Sequence, residues 1–134
     1  MPRVIVAEDD PEMRRLVVEA LRKDGHHVTE VSDGGRLLVQ IAEAFDRDPT
    51  LSQVDVIVSD VRMPVCNGIE LLERLADARW GVPVILMTAF GDEDTRKRAA
   101  RIGAVLFDKP LSLEALRDAV NRLAARRPLP PSSP

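Results

Sequence analysis

The sequence predicts an α/β domain, a doubly wound five-stranded parallel sheet flanked by five helices, and three observations carry that prediction. Five short runs of β-branched and aliphatic residues alternate with stretches of helical apolar spacing. Apart from His27 to Val31, which alternates, the runs are apolar nearly throughout, which is the pattern of strands covered on both faces and joined by right-handed crossovers. Polar residues collect at the ends of these runs, where sites form in open sheets of this kind.

The first run, Arg3 to Ala7, ends in Glu8-Asp9-Asp10. Asp10 is placed to cap a helix, Pro11 to sit in its first turn, and Gly25 to end it, with Leu16, Val17, Ala20 and Leu21 on one face. His27 to Val31 is the second strand. Asp33-Gly34-Gly35 reads as a turn, and Leu37 to Phe45 has helical spacing. Asp46 to Gln53 reads as a polar surface loop. The stretch from Val54 to Pro64 organises the chain, because its β-branched run delivers one carboxylate, Asp60, to a strand end before the turn pair Asn67-Gly68. Gly68 to Ala78 is an amphipathic helix, and Val82 to Met87 a buried strand ending at Thr88. Gly91 to Ile102 is a polar helix, weakly apolar through Ala99, Ala100 and Ile102. Ala104 to Phe107 forms the last strand before Asp108-Lys109-Pro110. A final helix opens near Ser112 and carries Leu116, Val120 and Leu123, and residues 125–134 form a Pro-rich, linker-like tail.

Composition narrows the function. A length of 134 residues, with 45% apolar and 31% charged residues, suits one compact domain with an aliphatic core. Aromatic residues make up 3%, and the net charge is −3, so neither base stacking nor a basic surface favours nucleic-acid binding by this domain. Cys66 is the single cysteine and the two histidines are adjacent, which excludes an intrachain disulfide and argues against a zinc site. No apolar run has membrane-spanning length and no secretory signal opens the chain, so the cytoplasm is the expected compartment and no membrane partner is expected.

Glu8, Asp9, Asp60, Thr88 and Lys109 all end strands and can converge on one sheet edge. Three carboxylates brought together repel, and the repulsion either raises a pKa or is neutralised by a cation. All-oxygen ligands with positions left for water suit Mg²⁺. A hydroxyl and an ammonium aimed at the same point make sense if a phosphoryl group arrives on Asp60, with Asp60 as nucleophile. A phosphatase using an aspartyl nucleophile would need a second acid two residues later, where Arg62 stands.

The chain resembles the receiver domain of two-component response regulators, chemotaxis-regulator-like, from Arg3 to about Leu123. The resemblance rests on Glu8-Asp9, Asp60 with Met63-Pro64 and Gly68, Thr88-Ala89, and Lys109-Pro110, in that order and at these spacings. It implies a flavodoxin-like sheet of order 2-1-3-4-5, a receiver over residues 1–124, and acceptance by Asp60 of a phosphoryl group from a phosphohistidine. The donor would be a sensor histidine kinase or phosphotransfer protein. It further implies Mg²⁺ held by Asp9, Asp60 and the backbone carbonyl of Arg62, with Glu8 acting through water. Thr88 and Lys109 would contact the phosphoryl group, the Lys109–Pro110 bond would be cis, and the switch would be read by an output protein or an output domain outside this chain. Such a receiver is a signalling module rather than an enzyme, although it promotes its own phosphorylation and dephosphorylation.

One departure stands out. Receivers usually carry an aromatic or large residue three positions before the lysine, and here that residue is Leu106, with Phe107 one position later. Either Phe107 takes the switch role in a shifted register or the role falls to Leu106, and a one-residue slip reverses the face a side chain occupies.

Overall fold

The structure is a computed structural model that describes residues 2–47, 54–62, 68–77, 81–89 and 91–126. The elements run β1 (Arg3–Ala7), α1 (Pro11–Lys23), β2 (His27–Val31), α2 (Gly34–Arg47), β3 (Val56–Asp60), α3 (Gly68–Asp77), β4 (Val84–Thr88), α4 (Glu93–Arg101), β5 (Val105–Asp108) and α5 (Leu113–Arg126). All strand pairs are parallel, in the order β2-β1-β3-β4-β5. The order reverses between β1 and β3, so the crevice at their carboxyl ends is the point where such a sheet builds a site.

Alternation of side chains along each strand supplies two cores. Ile5, Ala7, Ile57 and Leu86 pack under α2, α3 and α4 with Leu37, Ile41, Ile69, Leu72 and Ala99. Val4, Val6, Val56, Val58, Ile85 and Met87 pack against α1 and α5 through Val17, Val18, Leu21, Leu116 and Val120. β3 is buried along its whole length, as its unbroken apolar run requires. Each fully buried aliphatic side chain stabilises the fold by about 1.5–3 kcal/mol, so these two layers hold the strand ends in place.

Local chemistry sets the boundaries. The Asp10 carboxylate accepts from the N–H groups of Glu12 and Met13, Pro11 occupies the first turn of α1, and Gly25 takes a φ of +88° beyond its end. Leu16 is half exposed and Val18 is buried in its stead, so the inward stripe of α1 is rotated from the one its spacing suggests. Gly34 and Gly35 belong to the first turn of α2 rather than to a separate turn, because Asp33 caps it, its side chain accepting from the N–H of Arg36. β4 and β5 each begin and end later than the apolar runs suggest, which makes Thr88 and Asp108 the last residues of their strands.

α4 buries only Ala99. Charge pairs hold it: Arg98 makes a two-pronged bond to Glu73 of α3, and Arg96 donates to Asp108 of β5 and, at 3.1 Å, to the Gly91 carbonyl. α5 ends at Arg126, two residues beyond the boundary expected at 124. Among the described residues, no helix is long and apolar enough to cross a membrane.

Candidate functional site

The site is assembled by register. Ala7 of β1 lies opposite Ser59 of β3, so the residues that follow, Glu8 and Asp60, emerge side by side. Oxygens of Glu8, Asp9 and Asp60 all lie within 4.8 Å of one another. Glu8 and Asp60 are buried, at 0% and 7% exposure, while Asp9 faces solvent. The Lys109 ammonium, carried past the end of β5, donates at 2.7 Å to Glu8 Oε1 and at 2.7 Å to Asp60 Oδ2. Asp60 Oδ1 accepts from the Arg62 N–H at 3.1 Å.

Neighbouring backbone bonds fix this arrangement. Val61 N–H donates to the Met87 carbonyl and Lys109 N–H to the Thr88 carbonyl, which ties the ends of β3, β4 and β5 together. Thr88 is buried at the end of β4. The Lys109–Pro110 peptide bond is cis. Arg62 is exposed beside the site, whereas Met63 and Pro64 lie outside the described residues.

Two carboxylates and one ammonium in a buried pocket perturb each other strongly. Burial pushes the Glu8 carboxyl up from 4.5 to about 7, the hydrogen-bonded Asp60 carboxylate adds to the rise, and Lys109 opposes it. Burial alone would lower the Lys109 ammonium, but its bonds to Asp60 and Glu8 outweigh that effect and its pKa lies above the ordinary lysine value. The pocket thus carries an excess of negative charge next to a cation that is already shared. Its donors are all oxygen, which fits a hard divalent ion such as Mg²⁺ better than a soft one.

The two candidates for the switch position separate cleanly. Leu106 is in register with Leu86, two residues before Thr88, and packs in the layer of α2, α3 and α4. Phe107 is in register with Met87 and packs with α1 and α5. Leu106 therefore shares the face of Thr88 and Phe107 does not.

Spacing alone gave no role to Arg14. Its Nη1 donates at 2.9 Å to the backbone carbonyl of Glu8, and its Nε meets Glu30 of β2 at 3.3 Å. The one signal for it in the sequence is a cation a turn into the helix that follows the acidic pair.

Comparison with known proteins agrees with this architecture. Residues 4–121 match the family described as the response regulator receiver domain. The chain is 31% identical over 125 residues to the transcriptional regulatory protein PdtaR of Mycobacterium tuberculosis, covering 92% of this chain and 57% of that one. It is 32% identical over 129 residues to the response regulator receiver protein CpdR of Brucella abortus, covering 92% of this chain and 94% of that one. The receiver domain of the Francisella response regulator 1452 superposes with a TM-score of 0.82 at 29% identity, over 94% of this chain and 98% of that one. The chain spans between about a quarter and rather more than half of the length of the transcriptional regulators it matches. With the acidic crevice at the β1/β3 switch point and this match along nearly all its length, the chain belongs to the response regulator receiver domain family of two-component systems.

Proposed function

We propose that this receiver is a phosphoacceptor: Asp60 takes a phosphoryl group from the phosphohistidine of a sensor histidine kinase or phosphotransfer protein, and the product alters a partner-binding surface. The observation that carries the reading is the buried Asp60 carboxylate, bonded at 2.7 Å to Lys109 and flanked by Glu8 and Asp9. Asp60 attacks phosphorus, the phosphorus–nitrogen bond breaks, and the imidazole leaves. Lys109 stays against a phosphoryl oxygen and offsets charge that develops there. Mg²⁺, held by Asp9, Asp60 and the Arg62 carbonyl with Glu8 beside it, would neutralise the phosphoryl oxygens.

Thr88, at the same sheet edge, serves as the hydroxyl that follows the phosphoryl group, and Leu106, on its face of the sheet, takes the adjoining switch position. The receiver takes in the expected residues 1–124 together with the last two residues of α5, Ala125 and Arg126, and the Pro-rich residues beyond serve as the link to an output partner or domain. The domain itself signals through protein contacts, in the cytoplasm, rather than by binding nucleic acid. Intact-mass measurement after incubation with acetyl phosphate and Mg²⁺ tests this. Wild type should gain one phosphoryl group and Asp60→Asn none. A gain in both, or a wild type that stays unmodified by acetyl phosphate and by a panel of phosphorylated kinases, would defeat the proposal.

A further inference from the structure

We infer that Arg14 is a positioning residue for the divalent-cation site, acting through the peptide that joins Glu8 to Asp9; this rests on the Mg²⁺-binding reading above. The two acidic residues are held in different ways. Glu8 is fixed at several points: its carboxylate by Lys109, its N–H by the Val31 carbonyl at 3.2 Å, and its carbonyl by Arg14 Nη1 at 2.9 Å. The Asp9 carboxylate is exposed and has no hydrogen-bond or ion-pair partner among the described residues. Its position within 4.8 Å of the other two carboxylates is therefore set by the main chain that leads into it. The Glu8 carbonyl and the Asp9 nitrogen belong to one rigid peptide plane, so a bond to the carbonyl fixes the direction in which Asp9 departs.

Arg14 is itself held. It lies in the first turns of α1 with its side chain only 20% exposed, and its Nε pairs with Glu30 on β2. Its guanidinium offers several donors in a planar fork, so it bonds a carboxylate and a carbonyl at once, as a lysine ammonium does less well. Outer partners of this kind orient metal ligands without touching the ion, and losing one typically weakens metal affinity by about ten-fold or more.

The sign of the effect separates positioning from charge. As a mere point charge near the site, Arg14 would repel Mg²⁺, and removing it would tighten binding. As a positioning group, its removal should loosen binding despite the lost positive charge. Calorimetric titration of the metal-free protein with MgCl₂ decides, at a temperature where circular dichroism shows each variant folded. Arg14→Met should bind Mg²⁺ about ten-fold more weakly than wild type. Glu30→Gln removes the charge of Arg14's partner on β2 while its amide oxygen can still accept from Arg14 Nε, and it leaves the donor to Glu8 in place, so it should stay within about two-fold. Arg14→Lys keeps the charge but has one ammonium to divide between Glu30 and the carbonyl, so it should be weakened by about three-fold, and it serves as the deciding variant should Arg14→Met not fold. Unchanged or tighter binding in the Arg14 variants, or an equal loss in Glu30→Gln, would overturn the inference. A wild type that does not bind Mg²⁺ would overturn the underlying reading and this inference with it.

Discussion

Replacing Glu8 by glutamine should flatten the pH dependence of stability in the metal-free protein, and the variant's gain over wild type should grow as pH rises. The Glu8 carboxyl is buried and its pKa stands at about 7 in the fold against 4.5 as a free side chain. Because the folded value is the higher one, the stability this group contributes is complete below about pH 4.5 and is lost as pH climbs through 7. One pKa unit corresponds to about 1.4 kcal/mol, so the full loss is about 3 kcal/mol, on the order of 10 °C in Tm for a chain of this size. Glutamine nearly matches glutamate in shape and its Oε1 can still accept from Lys109, yet it carries no charge at any pH. Urea unfolding of both proteins in a chelator, at about pH 5 and 8.5, gives a difference of differences in which the packing effect of the amide cancels. That quantity should favour Glu8→Gln by about 2–3 kcal/mol at the higher pH. Parallel pH profiles would refute the reasoning, since they would mean that ionising a carboxyl in this pocket carries no penalty.

Three further outcomes follow from the same contacts. Lys109→Met leaves Glu8 and Asp60 buried without their shared cation, and chelator-treated protein should lose about 3–5 kcal/mol in urea unfolding at neutral pH; millimolar Mg²⁺ should restore part of that loss and should also raise the Tm of wild type, but of Asp60→Asn much less. A double-mutant cycle on Arg98 and Glu73, whose side chains are only 25% and 23% exposed, should give a coupling of about 1 kcal/mol or more, against less than about 0.5 for the exposed Arg15–Glu19 pair. In Gly91→Ala, the new Cβ would overlap Asp108 Oδ1 and lie 2.7 Å from Arg96 Nη2. Both are ends of flexible side chains, so the substitution should break the Arg96–Asp108 pair for less than about 1 kcal/mol of stability, measured by thermal melting.

Much of the site is legible in the sequence, because its parts are local. A strand that ends in a carboxylate, a cap at Asp10 and an acidic pair before a helix each depend on a few adjacent residues, and their convergence follows from placing the ends of parallel strands on one edge. The boundaries of β4 and β5 were less legible, since Thr88 and Asp108 join their strands through pairing with each other across the sheet rather than through their own apolar character.

The alternation of strands and helices, the clustering of polar residues at strand ends and the place of Asp60 as the central carboxylate can all be read from residue order alone. Those features rest on periodicity and turn chemistry, which act over a few residues. The bridge from Lys109 to Glu8 and Asp60 emerges in the assembled sheet, since the lysine and Glu8 stand 101 residues apart and their shared pocket exists only once β1, β3 and β5 are in place; the sheet does more than this. It alone decided that Leu106 and not Phe107 lies on the face of Thr88, because one step of register moves a side chain to the opposite layer. It also brought Arg14 of α1 onto the carbonyl of Glu8 just past β1, a contact at which the cation's place in the sequence hints but which only the packing of helix against strand makes.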